Sequence, residues 1–140
     1  MIQQGLTNSF KQQMLQAEQN IVTDTLRMAL YTAFADVGPT TAVYTMANEI
    51  SGTGYTAGGE IITGATVSVD VQSGTVYVGF DNVSWPGASF TARGALIYNA
   101  SQGNKSIAVL DFGSDKIFTS TSNTVTMPVN SATTALIRFP

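Results

Sequence analysis

The chain has 140 residues, a length that suits one domain able to bury a core without disulfides or metals. Charged residues make up only 11% of it, against a typical ~25%, so we expect a partner to cover part of the surface. The net charge is −3 and the 6 Lys and Arg residues are scattered, which argues against nucleic acid and against a membrane surface as partners.

The sequence contains neither cysteine nor histidine, so it offers no thiolate, no disulfide and no imidazole base or metal ligand. Its serines and lysines show no Ser-x-x-Lys spacing, and its acidic residues show no regular oxygen-ligand loop. We therefore predict a protein that is not an enzyme and has no cofactor or metal. The first residues do not resemble a secretory signal, and no apolar run approaches ~20 residues, so we expect a soluble protein made in the cytoplasm.

An amphipathic helix is predicted from residue 6 to about residue 20, with Thr7, Asn8 or Ser9 as its N-cap. Its apolar stripe consists of Phe10, Met14, Ala17 and Ile21. We assign residues 1–22 to this N-terminal helix or arm. Two interpretations are open: the helix packs on its own domain, which we favour, or it docks on a neighbouring subunit.

After the helix the apolar period changes to two, which predicts a strand around residues 26–31 that ends before Gly38-Pro39. A short strand is expected around residues 42–45. Residues 51–60 contain 4 glycines and no lysine, and strand-like sequence follows them. A mobile surface loop is therefore favoured over a phosphate-binding loop.

Two hairpins are predicted next. In the first, Val67, Val69 and Val71 share one face, and a two-residue link at Ser73-Gly74 leads into the strand that follows. The second spans residues 90–112, where two apolar runs flank a polar link with Gly103 and Asn104 near its tip. Apolar residues on both faces of this hairpin indicate strands that are covered on both sides.

The last two strands are predicted at residues 124–129 and 133–139, with Pro128 confined to an edge or an end. About eight short strands after one helix predict an all-β protein, a β-sandwich with a jelly roll as the favoured arrangement. We expect residues 23–140 to form the sandwich and the chain to be a single domain overall.

Arg93 interrupts an otherwise apolar strand, and a buried guanidinium requires an acidic partner. We predict a structural ion pair with Asp111 on the adjacent strand and keep an intersubunit pair as the alternative. Asp111 and Asp115 flank Gly113 and are expected in an exposed turn. Trp85, at a Pro-Gly turn, is expected either to close the core or to contact a partner.

Five segments in order resemble a family of small virion-associated structural proteins of tailed bacteriophages: FKQQML, LRMALYT, NEISGTGYTAGG, SFTARGALIYN and KSIAVLDFGSDK. GTGYTAGG and ARGALIYN are the most specific of them. The resemblance implies a non-enzymatic, β-rich protein of the phage particle that assembles as a symmetric oligomer. It implies a capsid decoration (cement) protein or a tail-associated β module.

The favoured function is capsid decoration, in which a homo-oligomer, predicted to be a trimer, stabilises the head by bridging major capsid protein subunits. The residues predicted to contact the partner are Phe10, Met14, Trp85 and Phe90. The alternative is a tail or tail-fibre module that binds host glycan through residues 51–59 or 85–89. Only Tyr55 and Trp85 offer stacking surfaces in those loops, which argues mildly against glycan binding there.

Overall fold

The computed structural model describes residues 1–140. It contains one helix, α1 (Asn8–Leu15), and ten strands. In chain order the strands are β1 (Gly5–Leu6), β2 (Leu26–Tyr31), β3 (Glu60–Ile62), β4 (Thr66–Val69), β5 (Val76–Gly79), β6 (Val83–Ser84), β7 (Phe90–Asn99), β8 (Lys105–Phe118), β9 (Thr124–Val125) and β10 (Ile137–Phe139). The helix is too short to cross a membrane, and the chain has no other.

The strands form three antiparallel sheets, with orders β1-β8-β7-β2-β3, β10-β5-β4 and β6-β9. Strands and isolated β-bridges together hold 40% of the residues and the helix 6%, which confirms an all-β protein with one helix and is consistent with a sandwich. The jelly roll is not confirmed, because sheets of five, three and two strands do not pair as two four-stranded sheets.

The predicted central hairpin is confirmed as β7 and β8. Gly103 and Asn104 both take positive φ angles in its turn, of 64° and 59°, conformations that glycine and asparagine tolerate best. Residues 94–99 of β7 are all buried, as the apolar pattern indicated, because a core cluster covers each face of the strand.

The core lies on both sides of the five-stranded sheet. Neighbouring residues of a strand point to opposite faces, so each side has its own cross-strand rows. On one side, Met28, Ile97 and Ala108 are register partners within a main cluster of 21 buried residues. The register partners Ala29, Leu96 and Val109 lie on the other side, in a second cluster of 8.

The N-terminal segment is part of this core. β1 pairs with β8, and the Thr7 side chain caps α1 by accepting a hydrogen bond from the Phe10 amide at 3.3 Å. The helix ends at Leu15, earlier than predicted, and Ala17 then adopts a left-handed φ of 57°. In this structure the helix packs on β8 of its own domain.

A buried polar network holds the same segment to β7 and β8. Ser106 Oγ donates to the Thr41 carbonyl at 2.6 Å and lies 2.9 Å from the Thr7 hydroxyl. Gln19 Nε2 donates to the Ser106 carbonyl at 3.3 Å, and its Oε1 accepts from the Asn99 amide at 3.1 Å. These contacts satisfy polar groups that would otherwise be costly to bury.

Three local predictions differ from the structure. The link between β4 and β5 spans residues 70–75 rather than two residues, because the Asp70 carboxylate and carbonyl accept from the amides of Gln72 and Gly74. The strand expected at residues 42–45 is only an isolated bridge at Val43. The last two predicted strands are reduced to β9 and β10.

Candidate interaction surface

Two of the predicted partner contacts, Phe10 and Trp85, are fully buried, with 0% of their surface exposed. Trp85 meets the Phe118 ring edge-on at 5.8 Å, so it closes the core. Neither side chain can touch a partner while the chain keeps this fold, which corrects that prediction. The physical reason is that both apolar side chains find enough cover inside their own domain.

The other two predicted contacts, Met14 and Phe90, are partly buried against the main cluster. Phe90 stacks on Phe118 with ring centroids 4.9 Å apart and meets Tyr55 edge-on at 5.6 Å. The four predicted contact residues therefore support the core and form no common surface patch. The burial of Trp85 also removes one of the two aromatic surfaces proposed for glycan stacking.

The structure places Arg93 beside Asp111, as predicted, with Nε 3.8 Å from Oδ1. A second contact joins Arg93 Nη1 to Asp115 Oδ1 at 3.9 Å. The Arg93 side chain is 37% exposed rather than buried, so these pairs contribute at most about 1 kcal/mol.

The two aspartates lie within β8, not in a turn between strands. Ala92 pairs with Lys116 and Gly94 pairs with Asp111, so residues 112–115 bulge out opposite Arg93. Gly113 takes a φ of 79° in this bulge, a conformation that suits glycine.

A cluster that the sequence did not reveal surrounds Glu49. Its Oε2 accepts from the Tyr44 hydroxyl at 2.6 Å, and its Oε1 accepts from the Tyr55 hydroxyl at 2.6 Å and the Gly58 amide at 2.7 Å. Tyr98 donates to the Gly58 carbonyl at 2.7 Å and stacks on Tyr44. With Tyr31, which donates to the Thr45 carbonyl, these residues form what we call the tyrosine cluster: Tyr31, Tyr44, Tyr55 and Tyr98.

Burial raises the pKa of all four hydroxyls above the ordinary value of 10.0, and the nearby Glu49 carboxylate raises each pKa further. The hydroxyls therefore stay protonated as hydrogen-bond donors at neutral pH. The cluster holds the end of the glycine-rich loop in place through these hydrogen bonds. We assign it a structural role.

The glycine-rich loop, residues 51–59, is exposed at its start and buried at its end. Arg27 Nη2 donates to the Gly59 carbonyl at 2.6 Å. Gly59 has a φ of 78°, and a Cβ there would lie 1.7 Å from the Met28 carbonyl oxygen. Only glycine fits at this position, so Gly59 allows the backbone of the loop to pack directly against the backbone of β2.

An apolar surface that is partly uncovered lies on the small sheet β10-β5-β4. Register pairing puts two apolar rows on one face, Val67–Val78–Ile137 and Val69–Val76–Phe139. Val78 and Ile137 are buried in the core, whereas Val67, Val69 and Phe139 are 49%, 58% and 43% exposed. We call the face formed by these six residues the valine face.

The sheet edge beside the valine face is also open. β4 is the last strand of its sheet and contains no charged residue and no proline, the usual means of protecting an edge. An exposed apolar patch next to an unprotected edge is typical of a surface that another polypeptide covers. Val71, predicted to share this face, lies beyond β4 in the exposed link.

Comparison of the chain with family models, with curated proteins and with solved structures finds no match. No group of three or more acidic side chains is placed to hold a metal ion. The resemblance to phage virion proteins thus stays a prediction, and the valine face is the feature from which a function can be inferred.

Proposed function

We propose that this protein is a structural component of a tailed-bacteriophage virion, a capsid decoration protein that bridges major capsid protein subunits. It acts as a homo-oligomer, with a trimer as the proposed symmetry. The observation that carries the mode of action is the valine face, on which the chain leaves Val67, Val69 and Phe139 about half exposed. The resemblance of the five sequence segments supplies the type of particle.

A single contact through the valine face is weak, but several such contacts made at once give a high total affinity. Val67, Val69 and Phe139 are each about half exposed, so covering all three stabilises one contact by about 2–4 kcal/mol. Association costs offset much of this in a single encounter. A symmetric oligomer that engages several capsid subunits at once gains effective concentration, and the total affinity then exceeds that of any one contact.

The rest of the fold suits a protein that must resist mechanical deformation in a particle. The five-stranded sheet is covered on both faces, and β1, α1 and the Ser106 network tie the N-terminal segment to β8. Little of this framework depends on surface ion pairs, which salt would weaken.

A matched pair of substitutions tests the proposal. Val69→Lys places a charge on the valine face, whereas Val22→Lys does so in the link between α1 and β2, where Val22 is 57% exposed against 58% for Val69. Each variant is mixed with capsids that lack this protein, and bound copies are counted after sedimentation. We expect Val69→Lys to weaken binding at least about tenfold, the effect of losing ~1.4 kcal/mol, and Val22→Lys to bind normally.

Two results would contradict the proposal. In one, the Val69→Lys variant binds capsids as tightly as the unsubstituted chain. In the other, the unsubstituted chain is recovered with tails and not with heads.

A further inference from the structure

We propose that the cleft beside the β8 bulge is a binding site for a neutral saccharide. This cleft is the largest depression in the protein, about 560 Å³, within the range of ~300–1,000 Å³ seen for small-ligand sites. The lining residues that matter here are Gln4, Asp111, Phe112, Ser114, Asp115 and Thr126. The inference does not depend on the capsid proposal, since it concerns a different surface.

The carboxylates of this cleft keep most of their capacity to accept hydrogen bonds. Asp111 uses Oδ1 to accept from the Gly113 amide at 2.9 Å, and Asp115 accepts no hydrogen bond from the protein. Arg93 approaches both at 3.8 and 3.9 Å, beyond hydrogen-bond length, and its buried Nε has no hydrogen-bond partner. Sugar hydroxyls are suitable donors to such carboxylates.

Donors and further acceptors line the same cleft. Gln4 Oε1 accepts from the Asp111 amide at 3.1 Å, which fixes the side chain and leaves its Nε2 free to donate. The hydroxyls of Ser114 and Thr126 make no hydrogen bond to the protein and can both donate and accept. A ligand that carries several hydroxyl groups matches this mixture better than one with a single polar group.

The charges around the cleft favour a neutral ligand. Two carboxylates, from Asp111 and Asp115, are balanced by the Lys116 ammonium, which lines the cleft, and by the Arg93 guanidinium, which lies outside it at 3.8 and 3.9 Å from them. Lys116 is also held in place, because its Nζ donates to the Thr124 carbonyl at 2.6 Å and lies over the Phe118 ring. A charged ligand would therefore gain little from the field of the site.

The apolar lining suits the C–H face of a pyranose ring. Phe112 is partly buried, packs against the main cluster and lines the cleft. Leu110 and Val125, both buried, contribute apolar atoms beneath it. An aromatic ring beside convergent polar groups provides stacking area and orientation together.

Titration of the ¹⁵N-labelled full chain with neutral sugars tests this inference by NMR. The probes are glucose, galactose, mannose, N-acetylglucosamine, rhamnose, maltose and lactose, with glycerol as a control for weak contacts of hydroxyl groups. We expect at least one sugar to give saturable shift changes confined to Gln4 and to residues 110–116 and 125–128. Glucuronate and glucosamine should bind no tighter than glucose.

Substitutions assign the binding to the cleft. Asp115→Asn and Phe112→Leu should each weaken the affinity for that sugar at least about tenfold. Asp36→Asn is the matched control, because Asp36 is also an exposed carboxylate in a surface ion pair, with the N-terminal ammonium at 3.6 Å. It should change the affinity less than about twofold, and the spectra themselves report whether each variant is folded.

The inference is overturned if no sugar gives a saturable change, or if saturable changes map only to another surface. It is also overturned if a charged sugar binds tighter than its neutral parent, or if Asp115→Asn binds like the unsubstituted chain. None of these outcomes bears on capsid binding, which is measured separately.

Discussion

Replacing Phe10 with alanine tests whether α1 belongs to the core or is an arm for a neighbour. The Phe10 side chain is fully buried in the main cluster, between the helix and β8. A buried Phe→Ala change costs about 3–5 kcal/mol, since it loses the transfer free energy and leaves a cavity. At about 3 °C per kcal/mol for a domain of this size, the melting temperature should fall by about 9–15 °C.

The assays are thermal and urea unfolding followed by tryptophan fluorescence, for which the single, fully buried Trp85 is the reporter. Leu15→Ala is the matched control, because Leu15 lies on the same helix and is 90% exposed. Its free energy of unfolding should stay within about 0.5 kcal/mol of the unsubstituted chain. If Phe10→Ala changed the free energy of unfolding as little as Leu15→Ala does but abolished binding to particles, the helix would be a docking arm. That result would refute the reasoning.

Three further predictions concern the loop and the tyrosine cluster. Gly59→Ala should unfold the protein because of the clash with Met28, whereas Gly74→Ala, at φ 75° in open space, should cost only ~1–2 kcal/mol in urea unfolding. Glu49→Gln should speed limited proteolysis within residues 51–59, since the loop loses charge-assisted hydrogen bonds. Because the fold raises the tyrosine pKa values, the tyrosine contribution to stability should be constant between about pH 7 and pH 10 and fall above pH 10, as the unfolded chain releases protons that the fold retains. Unfolding by urea at several alkaline pH values measures this, and a rise in stability above pH 10 would contradict it.

The features predicted well from the sequence are those set by neighbouring residues. The β7–β8 hairpin follows from alternation in two apolar runs and from Gly103 and Asn104, whose positive φ angles the turn requires. The Thr7 cap likewise depends on one side chain and an amide three residues away.

The exposure of Val67 and Val69 shows where such patterns stop being informative. Alternation establishes that the two side chains share a face, and the register confirms it. Whether that face is covered depends on how far the small sheet extends beyond the core, which no local pattern encodes.

The tyrosine cluster around Glu49 could not be predicted from the sequence for a related reason. Its four tyrosines come from β2, from β7 and from the long link between β2 and β3, so only the folded chain brings them together. The surroundings of Arg93 were predicted only in part. A charge in an apolar strand predicted its pairing with Asp111. The bulge that exposes both residues, and the contact with Asp115, depend on the β7–β8 register.

The number of copies per virion tests the central claim most directly, that this chain acts by covering its valine face against many equivalent neighbours. Quantitative mass spectrometry of purified particles, with the major capsid protein as internal standard, gives that number. We predict hundreds of copies on the head, in a fixed ratio to the capsid subunits. A handful of copies on the tail, or none on the particle, would contradict the account.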